Sequence, residues 1–190
     1  MLIEACKQLK IWIQDGHEFK ISVNVSSRQF HDATFVDMVR DVLNTYDVPP
    51  SLIELEVTES TTMHHVEEAL AKLTALREIG VSIAIDDFGI EYSSLSYLQK
   101  FSIQTLKIDR SFIMGLDDHE SNKAIVSAIH AMAKHLNLTI VAEGVETESQ
   151  LSWLKELQCE YAQGYYFSRP VPAGELMDYI TARETPSAVG

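Results

Sequence analysis

Leu52-Ile53-Glu54-Leu55-Glu56-Val57, a helical stretch from His65 to Glu78 stopped by Gly80, and Val81-Ser82-Ile83-Ala84-Ile85-Asp86 together decide the fold. The first run alternates, with Ile53, Leu55 and Val57 on one face and Glu54 and Glu56 on the other, as a strand's period of two requires. Glycine just past the last helical residue is a helix stop. Strand, helix and strand in succession imply a parallel pair bridged by the helix. The same unit recurs outward along the chain. Upstream lie a helix from Ile3 to Gln14, with Ala5, Leu9 and Trp12 on one stripe, a strand from Phe19 to Asn24, and a helix from Phe35 to Tyr46 before Pro49-Pro50. Downstream come a short helix (Ser94 to Lys100), a strand (Thr105 to Asp109), and a long helix (Asn122 to Leu136) carrying Ile125, Ala128, Ile129, Met132 and Ala133. A strand from Leu138 to Glu143, a helix from Glu148 to Leu157, a short strand from Glu160 to Gln163 and a helix from Ala173 to Ala182 follow. Six such units predict an α/β fold with a mainly parallel sheet flanked by helices.

Composition limits what such a fold serves. With 46% hydrophobic residues in 190, the chain can bury a substantial core. Its formal charge of −13 repels polyanions, which argues against tracking along a nucleic-acid polymer. No segment approaches the apolar length of a membrane span, so no membrane contact by this segment is expected. The start, Met1 to Lys7, lacks the basic-then-apolar order of a signal peptide. Cys6 and Cys159 make no disulfide framework and read as small buried hydrophobes. A cytoplasmic location fits these features. Neither G-x-G-x-x-G nor G-x-x-x-x-G-K-[ST] occurs, so no glycine loop of those kinds cradles a nucleotide.

The polar residues are informative by position. Each strand ends in a residue that an apolar core rejects: Asn24, Glu56, Asp86 with Asp87, Lys107 and Asp109, Glu143, and Gln163. A lone acid there is usually a turn former or helix cap, but capping does not call for Glu, Gln and Lys. In a βα barrel the carboxyl ends of the strands converge on one mouth. None of the seven histidines (His17, His31, His64, His65, His119, His130, His135) ends a strand, and surface or packing roles are expected for them. An oxygen-only set favours Mg²⁺ or Mn²⁺, with Ca²⁺ as a further option, over zinc. Adjacent carboxylates such as Asp86-Asp87 can serve two ions, and paired ions suit in-line phosphodiester cleavage.

The same residues carry a family resemblance. Asn24-Val25-Ser26-Ser27-Arg28-Gln29-Phe30 resembles the N-x-S-x-x-Q-F motif of EAL-domain cyclic di-GMP phosphodiesterases, and Glu54 to Ser60 resembles E-L-E-x-T-E-S. Asp86-Asp87-Phe88-Gly89 with Tyr92-Ser93-Ser94-Leu95, Lys107 to Phe112, Ala142 to Thr147, and Gln163 to Phe167 with Pro170 match the remaining motifs in order. The resemblance implies a TIM-like (β/α) barrel of the EAL type. It implies Asn24, Glu56, Asp86 and Asp87 as metal ligands for two Mg²⁺ or Mn²⁺ ions, and Lys107 as holder of the attacking water. Glu143 becomes a metal ligand or the general base. Asp109, Glu146, Gln163, Phe167 and Pro170 fall to the substrate, and Glu59 braces the loop after Asp87. The implied reaction is hydrolysis of cyclic di-GMP to linear pGpG, by a homodimer with sensor or GGDEF-type domains upstream in a full-length protein.

Two departures qualify the resemblance. The segment Ile3 to Trp12 resembles the helix just ahead of the N-x-S strand. The two preceding strands and the E-A-L-x-R motif, with its metal-ligating glutamate and phosphate-contacting arginine, are not in this sequence. The expectation is therefore an incomplete barrel lacking the first strands, a partial domain over 1–183 with a tail over 184–190. Ile90 and Glu91 replace the small residue and glycine usual after Asp87-Phe88-Gly89, and a glycine there permits angles that Glu91 adopts only at a cost. An inactive module that binds cyclic di-GMP or a protein is the competing expectation.

Overall fold

The strand segments assemble into one sheet in sequence order, β1 (Ile21–Val25), β2 (Ile53–Thr58), β3 (Ser82–Phe88), β4 (Thr105–Ile108), β5 (Thr139–Glu143) and β6 (Tyr161–Gln163). Every neighbouring pair is parallel. This computed structural model describes residues 1–63, 65–90 and 95–184; His64, Glu91 to Ser94 and the tail from Thr185 lie outside the described residues. The sheet curls into a TIM-like half-barrel with the helices outside. Among the described residues β1 and β6 are its edges.

Register explains why the sheet has two unlike faces. Asn24 lies opposite Glu56, Glu56 opposite Ala84, Ala84 opposite Thr105, and Glu143 opposite Gln163. Partners across a parallel ladder share a face, so the concave face gathers the polar residues. Their neighbours, including Val23, Ile53, Leu55, Val57, Ile83, Ile85, Leu106, Ile108 and Ile140, are buried on the opposite face. Each large aliphatic side chain so buried contributes roughly 1.5–3 kcal/mol, enough to fix register wherever a one-residue slip would expose it.

The covering helices are α1 (Leu2–Gln14), α3 (Phe35–Tyr46), α5 (Val66–Ile79), α8 (Glu120–His135), α9 (Glu148–Glu156) and α10 (Ala173–Glu184). Helix α5 ends where Gly80 turns left-handed at φ 103°. Four short α-helices are also described, α2 (Ser27–His31), α4 (Glu59–Met63), α6 (Leu95–Leu98) and α7 (Arg110–Met114), with a 3-10 turn at Pro50–Leu52. Three of them, α2, α4 and α7, are not foreseen from periodicity, because five residues show no period. Helix α2 is instead fixed by a capping box, in which Ser26 accepts from the Gln29 amide while Gln29 accepts from the Ser26 amide. Packing also corrects two stripes. In α8 the buried face is Val126, Ile129, His130 and Ala133, whereas Ile125 and Ala128 are exposed. In α1 Cys6 is buried where Ala5 is only partly so. Cys159 is half-buried, against the expectation of a buried thiol.

Candidate active site

Lys107 organises the concave face. It lies on β4, 5% exposed, and its ammonium Nζ sits 2.6 Å from Glu143 Oε1, 2.7 Å from Glu56 Oε1 and 3.3 Å from Asp86 Oδ1. These partners come from β5, β2 and β3, so four strand ends meet at one cation. Asn24, at the end of β1, is the ladder partner of Glu56.

Asp86 and Asp87 pose a geometric problem, since consecutive strand residues point to opposite faces. The backbone solves it by leaving the ladder. The register between β3 and β4 shifts between Ile85 and Phe88, and Asp87 adopts a left-handed φ of 55°. Carboxylate oxygens of Asp86, Asp87 and Glu143 consequently come within 4.8 Å of one another. Such strain in a non-glycine residue costs on the order of 1–3 kcal/mol and persists only where the surroundings enforce it. Part of that enforcement is visible: the Gly89 amide donates to the buried carboxylate of Glu59 at 3.1 Å, tying the segment after Asp87 to α4. Ile90 is exposed, and Glu91 lies outside the described residues.

The electrostatics follow from this crowding. Burial pulls the Lys107 ammonium down, but its hydrogen bonds to the Glu143 and Glu56 carboxylates, and their charges, outweigh it and hold the group well above its ordinary value. Burial pushes the Glu143 carboxyl up, as do Asp86 and Glu56, and Lys107 offsets only part of the rise. Asp87 is raised by burial and by the nearby charges of Asp86 and Asp109. Four carboxylates against one ammonium leave a formal excess of three negative charges. An all-oxygen donor set with that excess fits hard divalent cations.

Asp109 is buried, and its carboxylate caps α7 by accepting from the Ser111 amide at 2.8 Å while facing Asp87. Here the bland reading of a strand-end acid, helix capping, holds alongside any other. Glu146 and Gln163 are exposed and line, with Glu143, Gly144 and Arg110, a cavity of about 500 Å³ beside the carboxylates. Phe167 and Pro170 lie farther along, in an adjoining cavity of about 660 Å³ that Gln163 also lines. Sequence reasoning passed over Arg110, whose only signal was its place directly after Lys107-Ile108-Asp109. It passed over Glu54 as well, which parity alone places beside Glu56.

Residues 1–170 match the EAL domain. The chain is 48% identical over 178 residues to the bifunctional diguanylate cyclase/cyclic di-GMP phosphodiesterase MucR of Pseudomonas aeruginosa, spanning 93% of this chain but 26% of that protein. A solved structure of the MucR phosphodiesterase in complex with c-di-GMP superposes with a TM-score of 0.90, covering 92% of this chain and 71% of the other. The EAL domain of DcpA from Mycobacterium smegmatis superposes at 0.89 with 36% identity, over 95% and 82%. The chain thus spans less than a third of the length of the curated relatives it matches. Motif order, strand order and the ring of carboxylates about Lys107 agree with these likenesses, and the chain belongs to the EAL domain family.

Proposed function

We propose that this chain binds cyclic di-GMP and hydrolyses one of its two phosphodiester bonds, giving linear pGpG, with Mg²⁺ or Mn²⁺ as cofactor. The observation that carries this is the convergence of Glu56, Asp86 and Glu143 on Lys107 with Asp87 alongside. Asn24, Glu56, Asp86, Asp87 and Glu143 would hold two ions. Bound there, divalent cations supply the positive charge that steadies the entering and leaving oxygens of an in-line displacement. Lys107 orients the attacking water and offsets phosphate charge. Glu143, made more basic by burial, accepts that water's proton. Glu146, Gln163, Phe167 and Pro170 receive the nucleotide in the two adjoining cavities. Asp109 keeps Asp87 and the start of α7 in place, and Glu59 braces the segment through Gly89.

The solved relative in complex with c-di-GMP supports the substrate. Among the described residues no helix is long and apolar enough to cross a membrane. We place the chain in the cytoplasm as a partial domain over 1–183, working as a homodimer and joined in a full-length protein to sensor or GGDEF-type domains. The test is incubation of the purified chain with cyclic di-GMP and Mn²⁺, followed by chromatography. Release of pGpG is expected, together with its loss in Glu143→Ala. Nucleotide that is bound but intact after long incubation would make the chain a receptor and refute hydrolysis.

A further inference from the structure

One layer beneath the Lys107 cluster, the concave face carries a second ion pair, between buried Glu54 and the exposed Lys20, that the proposed chemistry does not use. Glu54, on β2 two residues before Glu56, is 7% exposed. Its Oε1 accepts from Lys20 Nζ at 2.7 Å and from Thr105 Oγ1 at 2.8 Å, and its Oε2 accepts from Ser22 Oγ at 3.2 Å. Ser22 belongs to β1 and Thr105 to β4, so this one carboxylate joins three strands. The layer above repeats the plan, with Glu56 of β2 reaching Lys107 of β4. In both layers a β2 side chain crosses β3 to reach β4, and Ala84 is the fully buried β3 residue in register with both Glu56 and Thr105. A side chain longer than alanine's would stand in that path.

The partition of charge between the layers matters. Lys20 neutralises Glu54 from below, so Lys107 is left to the upper carboxylates alone. A buried carboxylate with hydrogen bonds from three side chains is held in one rotamer, and it fixes the separation of β2 and β4 one residue pair below the cluster. Supporting groups of this kind keep first-rank ligands within the narrow geometry their chemistry needs.

We infer that Glu54, held by Lys20, Ser22 and Thr105, is a positioning residue for the Glu56–Lys107 pair, setting the reach from β2 to β4 on which divalent-cation binding depends. The inference rests on the reading of the upper cluster as a cation site. Its test uses the purified chain, with Mn²⁺ as the probe, followed by electron paramagnetic resonance and with thermal unfolding recorded in parallel. Thr105→Val keeps shape and removes the hydroxyl; Thr105→Ser restores it; Glu54→Gln keeps size and removes the charge. Thr105→Val and Glu54→Gln are expected to weaken Mn²⁺ binding three- to tenfold at temperatures where the chain is fully folded, and Thr105→Ser to stay within twofold of the unsubstituted chain. Lowered melting temperatures with unchanged Mn²⁺ affinity in both variants would show a merely structural role and overturn the inference. An unsubstituted chain that binds no Mn²⁺ would overturn it together with the reading of the site. Graded Mn²⁺ affinities without any release of pGpG would sink hydrolysis alone and leave the positioning role standing.

Discussion

Replacing Lys107 by methionine isolates the electrostatics of the site. The substitution keeps the aliphatic reach and removes the ammonium that, among the described residues, faces Glu56, Asp86 and Glu143. In metal-free buffer buried Glu56 and half-buried Asp86 and Glu143 cannot all stay charged, and stranding a buried charge costs several kcal/mol. Protonation caps that cost. Taking a carboxyl with an ordinary value of 4.5 to its neutral form at pH 7 requires about 3 kcal/mol. For a chain of this length, that is a fall in melting temperature of about 6–12 °C. The sign of the pH dependence follows. A carboxyl protonated in the folded variant binds more protons than in the unfolded chain, so the variant's stability falls as pH rises. The gap to the unsubstituted chain should therefore narrow between pH 7 and pH 5. Divalent cations neutralise the same oxygens, so Mn²⁺ should raise the melting temperature of Lys107→Met more than that of the parent. Differential scanning calorimetry with EDTA or Mn²⁺ reads each of these. Melting within 2 °C of the parent in EDTA, or no stabilisation by Mn²⁺, would refute the account of Lys107 as the counter-charge of Glu56, Asp86 and Glu143 in a cation site.

Ala84→Leu should block the path by which Glu56 and Glu54 cross β3, costing about 1–3 kcal/mol from overpacking and most of the Mn²⁺ binding; paired calorimetry and Mn²⁺ titration check it. At Gly164 a Cβ would overlap the carbonyl oxygen and amide nitrogen of Val145, which bond the Tyr166 amide and the Gln163 carbonyl at 3.0 Å each. Gly164→Ala should therefore break both and destabilise the chain by about 2–3 kcal/mol, seen as a lower urea midpoint. Burial pushes the Cys159 thiol from an ordinary 9.0 up to about 11, leaving about a hundredfold less thiolate at pH 8. Alkylation of the native chain should be slow and should accelerate on unfolding; rapid labelling of native Cys159 would contradict the packing.

The strands were legible because burial on one face imposes a period of two, and helix α3 was legible residue for residue because its apolar positions fall on a narrow stripe. Where apolar residues surround a helix, the pattern cannot choose a face. Helix α8 has Ala124, Ile125, Val126, Ala128, Ile129, Ala131, Met132 and Ala133 almost all round it, so the sheet beneath, not the sequence, selects Val126 and His130 over Ile125 and Ala128. Helices α2, α4 and α7 were missed for the opposite reason, as local hydrogen bonds make them. The spacing of Ser26 and Gln29 was the available signal for α2, and the Asp109 cap for α7.

The candidate site divides along the same line. That Asn24, Glu56, Lys107 and Glu143 share a face follows from parity and from parallel ladders, so strand assignment carries it. Asp86 with Asp87 does not follow, since parity separates neighbours. Only the register shift and the left-handed turn at Asp87 bring both to one side. Contacts that skip a strand are less visible still. Glu54 to Thr105 and Glu56 to Lys107 span β3 because the sheet is curled and Ala84 is small. In a flat sheet of the same register, β2 and β4 lie two strand spacings apart, roughly 10 Å. A glutamate side chain does not span that distance to a threonine hydroxyl. Curl, not composition, makes the cluster, and the alanine at 84 is the one sequence mark that such a crossing leaves behind.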